Sequence, residues 1–176
     1  QARGHELFYY TPDRLTFDEG RVVARAWPLR VQRVQGDHAH LGEEITLDLA
    51  TVDVVWLRQD PPFDMQYIAA THLLESIHGV GDGQTFCANH PAHVRNAPEK
   101  IFVTEFAEFM PATMISRNVD DITAFRDEYQ DIIVKPLFGN GGAGVFHIKP
   151  GDENLTSLME LFTEFYREPM IIQKYL

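Results

Sequence analysis

The sequence predicts an α/β protein, and three observations carry that expectation. Val52 to Leu57 (VDVVWL) is nearly continuous in apolar residues, as in a parallel strand covered on both faces. Residues 64–78 and 154–167 space their apolar side chains three and four apart, the helical period. Ile132–Val134 and Val145–Ile148 are two β-like runs around a glycine cluster, which reads as a hairpin. A mainly parallel sheet is expected up to about Arg95, and an antiparallel sheet with flanking helices after it. The stretch PAHVRNAPEK, with prolines at 91 and 98, marks the boundary between them.

In chain order, QARG looks like the last turn of a helix, and residues 5–10 (HELFYY) read as a short strand. Thr11-Pro12-Asp13 makes a turn. Leu15–Phe17 and Val22–Ala26 form a hairpin around Asp18-Glu19-Gly20, and Trp27 to Val34 extends it. His38 and His40 lie in a polar loop; a metal would need a third ligand, which the pattern does not offer. Beyond the strand 52–57 stands Arg58-Gln59-Asp60-Pro61-Pro62-Phe63-Asp64, in the position where open α/β sheets bind ligands. Two prolines would hold Arg58 for a substrate carboxylate. Equally, Arg58 could pair with Asp60 or Asp64 to stiffen a turn, with Asp64 as helix cap.

Asp64 to His78 is a helix with Tyr67, Ala70, Leu74 and Ile77 on its core face, and Gly79–Gly83 a flexible connection. Thr85–Ala88 is a strand whose cysteine, Cys87, reads as a buried, inert thiol. Glu99-Lys100 opens a helix from Ile101 to Phe109, with Phe102, Phe106 and Phe109 on one face; Lys100 taken alone reads as solvated. Thr113–Ser116 is a strand, and Asp120 or Asp121 caps a helix bearing Ile122, Phe125 and Tyr129. Asn154 to Arg167 turns Leu155, Leu158, Phe162 and Phe165 inward, Pro169 ends it, and Met170–Tyr175 is the last strand.

The chemistry concentrates in IIVKPLFGNGGAGVFHI, residues 132–148. Glycines free of Cβ let an anion approach the backbone N–H groups. Lys135 stands among strand residues, where an unpaired ammonium is costly unless an anion meets it. A polyphosphate suits that pairing; a mobile hairpin with a snorkelling lysine is the plainer alternative. Gly139-x-Gly141-x-x-Gly144 spells a dinucleotide fingerprint, but the residues after it are β-like where that motif must open a helix. Kinase signatures and Gly-Lys-Ser/Thr are absent from the sequence.

Composition narrows the function further. A formal charge of −11 opposes nucleic-acid binding, which needs a basic face. No apolar run approaches the ~20 residues of a membrane span, and no signal peptide is expected. A single cysteine excludes an internal disulfide framework and agrees with a reducing cytoplasm.

Several separated motifs converge on one family. VVWLRQDPPFD, APEKIF, IIVKPLFGNGGAGVFHI and IIQKYL occur in the order and rough spacing of bacterial glutathione synthetase, so the chain resembles that ATP-grasp family along nearly its whole length. The resemblance implies a Rossmann-like pre-ATP-grasp, substrate-binding domain over residues 1–95. The amino-terminal part of an ATP-grasp domain follows over 96–176. It implies a ligase joining γ-glutamylcysteine to glycine with ATP, through an acyl phosphate, with Mg²⁺ (or Mn²⁺). By the same resemblance Lys100, Lys135, Gly139, Asn140, Gly141 and Gly142 would bind the phosphates, and Gln173, Lys174, Tyr175 and Leu176 would read the adenine edge. Arg58, Asp60 and Asp64 would bind substrate.

The family's metal ligands are expected beyond Leu176 and its first strand and helix before Gln1, so the chain reads as a fragment, inactive alone. The full-length protein is expected to be a cytoplasmic homo-oligomer. Two alternatives stay open: another ATP-grasp carboxylate–amine ligase, against which Arg58-Gln59-Asp60-Pro61-Pro62 speaks, and a non-catalytic nucleotide-binding module.

Overall fold

A computed structural model of the chain describes residues 3–139, 141–165 and 167–176, with residue 165 through its backbone only. Gln1, Ala2, Asn140 and Tyr166, together with the side chain of Phe165, therefore lie outside the described parts. The class is α/β, and the chain divides into two units, one of residues 1–60 and 64–96, the other of residues 61–63 and 97–176.

The first unit is organised by one long strand. The strands are β1 (Phe8–Tyr9), β2 (Leu15–Asp18), β3 (Arg21–Val31), β4 (Ala39–Leu41) and β5 (Ile45–Asp48). The inner half of β3 pairs with β2 and β5, its outer half with β1 and β4, all antiparallel. Alternation along β3 buries Val22, Ala24 and Ala26. The β2–β3 turn is a two-residue hairpin in which Glu19 (φ 47°) and Gly20 (φ 87°) are both left-handed, so the register Asp18↔Arg21 follows from the turn.

Among the described residues, parallel pairing joins β6 (Val54–Trp56) to β7 (Phe86–Ala88), linked through helix α1 (Met65–Glu75), with one isolated parallel bridge between His78 and Thr85. The expected mainly parallel sheet thus becomes a parallel pair beside an antiparallel sheet, because β1–β5 are linked by turns and short loops too brief for a crossover. Nor is β6 covered on both faces: Val55 is buried with Val22, Ala24, Leu49, Leu74 and Cys87, whereas Trp56 is 75% exposed and Val54 is also exposed.

Other boundaries shift for local reasons. The strand expected over residues 5–10 shortens to Phe8–Tyr9, where Pro28, opposite Phe8, has no N–H to offer the ladder. The His38–His40 loop contributes the edge strand β4, with His40 hydrogen-bonded to Gln32. Helix α1 stops at Glu75, so Ile77 contributes to the core from outside the helix. Pro91–Arg95 forms a short helix α2 inside the expected linker, with Pro91 in its first turn.

The second unit is a four-stranded antiparallel sheet in the order β10-β9-β11-β8. Its strands are β8 (Thr113–Ser116), β9 (Ile132–Pro136), β10 (Phe146–Ile148) and β11 (Met170–Lys174), so the glycine cluster is a β9–β10 hairpin, as expected. Helices α4 (Val119–Tyr129) and α5 (Leu155–Phe165) cover one sheet face. There Ile122, Phe125, Leu158, Met159 and Phe162 bury against Ile132, Val134, Ile148, Met170 and Ile172.

Asn118, not Asp120 or Asp121, caps α4: its side chain accepts the Asp120 N–H at 2.9 Å. The aspartates sit in the first turn, where carboxylates suit the positive end of the helix dipole. The helix expected over 101–109 is a single α-turn, α3 (Glu99–Phe102), followed by a 3-10 stretch over Val103–Phe109 that kinks at Phe106. Phe102, Phe106 and Phe109 stay exposed, Phe109 at 79%, so no burial supports a longer helix.

Candidate functional site

The second unit gathers the expected phosphate-binding residues. Strand β9 alternates: Ile132, Val134 and Pro136 are buried, and Ile133 and Lys135 face the other way, half-exposed. Cross-strand partners share a face, so the side away from α4 and α5 carries Lys135 opposite Ile171, and Ile133 between His147 and Gln173. On β8, Ile115 and Thr113 extend it opposite Ile171 and Gln173. An open cavity of about 390 Å³ borders this face between Thr104 and Ala107 of the 3-10 stretch and Thr113 and Ile115 of β8.

Lys100 reaches the same region from α3. Its Nζ donates to the carbonyls of Pro136 at 2.7 Å and Gly139 at 2.5 Å, so it is not the solvated side chain its local sequence suggests. Burial holds its pKa below the ordinary lysine value; the nearby Lys135 adds to that shift and Glu99 opposes it. Two cations thus converge where β9 runs into the glycine turn. An anion meeting both would relieve their repulsion and the cost of burying Lys100. In that turn Gly141, Gly142 and Gly144 have φ of 59°, 79° and 72°, which L-residues rarely adopt, so glycine is required for the backbone to fold there. Gly139 is closely packed instead: a Cβ would sit 3.3 Å from Pro136 Cβ and 3.4 Å from the Ala143 carbonyl oxygen, so one of them would have to give by a few tenths of an ångström. Asn140, called for phosphate binding, lies outside the described residues.

The expected base-reading segment closes the opposite end of the sheet. Gln173 Nε2 donates to Thr113 Oγ1 at 2.9 Å. The backbone N–H groups of Lys174 and Tyr175 already donate to the carbonyls of Ala112 and Asp131, so neither N–H is free to meet a ligand. The Lys174 ammonium lies over the Tyr129 ring on the helical side, and Leu176 is exposed.

Arg58, Asp60 and Asp64 follow β6 in the first unit and are all solvent-exposed. Asp64 caps α1, accepting the Tyr67 N–H at 2.9 Å, which is the structural role its sequence context allows. No ion pair joins Arg58 to Asp60 or Asp64 among the described residues. Burial raises the pKa of Tyr67, and the neighbouring Asp60 carboxylate adds to it. Cys87 is fully buried, its pKa pushed up to about 11 by burial, in keeping with an unreactive thiol.

Two residues without a predicted role stand at this end of the sheet. His147 on β10 bonds Asp131 and stacks on Tyr175. The period-two alternation of β10 was the signal available for His147; nothing local marked Asp131.

The fold is of the ATP-grasp class. The chain superposes over 99% of its length on 58% of the ATP-grasp ligase PsnB, complexed with a phosphomimetic variant of minimal precursor, Mg and ADP, with a TM-score of 0.52 and 20% identity. Within that class the match is specific. Residues 1–95 match the prokaryotic glutathione synthetase N-terminal domain and residues 99–176 that enzyme's ATP-grasp domain, and the chain belongs to the prokaryotic glutathione synthetase family. It is 56% identical over all 176 residues to glutathione synthetases of Mesorhizobium japonicum and Brucella melitensis, and 38% identical to that of Pseudomonas putida. It spans about half the length of the relatives it matches, 55% in each of these three.

Proposed function

We propose that this chain supplies the nucleotide grip and part of the substrate site of an ATP-dependent ligase that joins γ-glutamylcysteine to glycine. In that reaction a carboxylate oxygen takes the γ-phosphoryl group and releases ADP. The amine of glycine then attacks the acyl carbon and releases phosphate, leaving an amide. The observation that carries the reading is the convergence of Lys100 and Lys135 at the glycine turn. The Gln173–Leu176 segment lies at the far end of the same sheet. Tyr175 is four residues beyond Ile171, the partner of Lys135, a span of about 13 Å at ~3.3 Å per residue. That is the scale of an extended nucleoside triphosphate. Its phosphates would meet the two ammonium groups and the backbone of Gly139, Gly141 and Gly142, and its base would meet the segment 173–176.

The loop after β6 supports a carboxylate-binding role for Arg58, whose guanidinium can hold a carboxylate through two parallel hydrogen bonds. Asp60, and Asp64 beyond its capping role, would assist substrate amines. Residues 1–95 thus form the substrate-binding domain and 96–176 the first part of the ATP-grasp domain. Mg²⁺ (or Mn²⁺) would neutralise charge between the β- and γ-phosphates. Among the described residues no three carboxylate, histidine or cysteine side chains come together to hold a metal. No described helix is long and apolar enough to cross a membrane, and we place the complete enzyme in the cytoplasm as a homo-oligomer.

Calorimetric titration of the chain with ATP tests the grip, with weak saturable binding expected and no binding refuting it. Assay with ATP, Mg²⁺, γ-glutamylcysteine and glycine tests the division of labour. The expectation is no turnover by this chain and glutathione formation by the complete protein.

A further inference from the structure

The base end of the sheet carries a closed arrangement of three residues: Asp131 just before β9, His147 within β10 and Tyr175 just past β11. His147 Nε2 and Asp131 Oδ1 are 2.5 Å apart. The Asp131 carbonyl accepts the backbone N–H of Tyr175 at 2.9 Å. The imidazole of His147 then stacks on the Tyr175 ring, with centroids 4.2 Å apart and planes 27° from parallel. Asp131 therefore grips both partners, one through its carboxylate and one through its backbone, and the ring contact closes the circuit. Tyr175 remains half-exposed, leaving ring surface open beyond the stack. His147 points to the same sheet face as Lys135, because His147 pairs with Ile133 and Ile133 shares the side of Lys135.

We propose that His147, held by Asp131, is a positioning residue for a purine base, acting through Tyr175. The inference rests on the nucleotide reading above. The strand β11 ends at Lys174, and past it the Tyr175 N–H bond to the Asp131 carbonyl holds the backbone but leaves the orientation of the Tyr175 ring to be fixed. A ring clamped on β10 and pressed against Tyr175 supplies that constraint, holding the segment in place before the base arrives and lowering the ordering cost of binding. The phosphate grip lies at the other end of β9 and does not depend on this contact.

Calorimetric titration of the chain with ATP and with inorganic tripolyphosphate separates the two ends. In His147→Ala, ATP affinity is expected to fall about tenfold, with tripolyphosphate affinity unchanged. His147→Phe keeps a ring on Tyr175 without the Asp131 bond and should recover part of the loss. Hydrogen exchange at the Tyr175 amide should accelerate in His147→Ala while β9 stays protected. Unchanged ATP affinity in His147→Ala, or an equal loss for both ligands, overturns the assignment. Wild-type binding of tripolyphosphate with no preference for ATP overturns it too, while sparing the phosphate grip. A wild-type chain that binds neither ligand refutes the nucleotide reading itself and this inference with it.

Discussion

The Lys100 ammonium donates to the carbonyl of Gly139 at 2.5 Å, across 39 residues of sequence. The same ammonium holds the Pro136 carbonyl, so one side chain from α3 fixes the end of β9 and the start of the glycine turn. Lys135, the last residue of β9 before Pro136, is its electrostatic neighbour.

Replacing either lysine by methionine should weaken ATP binding, but for different reasons. Lys135→Met removes a charge-assisted contact, expected to cost about 1–3 kcal/mol of binding free energy. Lys100→Met removes charge and also frees two carbonyls, so exchange of the backbone amides around Gly139 should rise even without nucleotide. Calorimetry and hydrogen exchange distinguish them; unchanged ATP affinity in Lys135→Met would remove Lys135 from the site.

The protonation of Lys100 offers a second check. Burial and the proximity of Lys135 lower its pKa in the folded chain. Between that value and the higher unfolded one, the unfolded chain binds more protons, so this group makes stability rise with pH across the window. In competitive amine labelling, Lys100 should deprotonate below the ordinary lysine value of about 10.4, and saturating ATP should move it back up. Titration at that ordinary value would contradict the geometry.

Acid should loosen the first unit at the α1–α2 contact. Arg95 donates to Glu75 at 2.7 Å and holds the Glu75 carboxyl below the usual range. That stabilisation is complete above the unfolded glutamate value, about 4.3, and is lost as pH falls through the lower folded value. Glu75→Gln should flatten the acid limb of a stability–pH curve below about pH 4.3 relative to wild type. Identical limbs would assign the acid sensitivity elsewhere.

Two apolar truncations should behave oppositely. Phe162, 1% exposed, sits in the α5 core against the sheet, and Phe162→Ala should cost about 3–5 kcal/mol in chemical denaturation. Trp56, on the open face of β6, should cost within about 0.5 kcal/mol when changed to Ser. A large loss from Trp56→Ser would mean that β6 is covered on both faces after all.

The glycine hairpin, the strand–helix–strand around Asp64 and the helix 155–165 were legible because each is written in local period and turn chemistry. Where reading failed, the missing information was a partner. The phenylalanines at 102, 106 and 109 spell a helical stripe, yet all three stay exposed, and the helix gives way to a 3-10 stretch. Trp56 and Val54 spell a doubly covered strand, yet only Val55 is buried. Lys100 carried no local signal because its partners are backbone carbonyls 36 and 39 residues away.

By itself the sequence determined the α/β class, the glycine turn with its lysine, and the family to which the motifs point, since strand and helix periods and backbone permissiveness are properties of neighbouring residues. Tertiary structure alone decided that the Lys100 ammonium holds the carbonyls of Pro136 and Gly139 and that Asp131, His147 and Tyr175 meet at the other end of one sheet. Those meetings are set by cross-strand register and by which face the helices occupy, and register is a relation between distant segments that no local pattern contains.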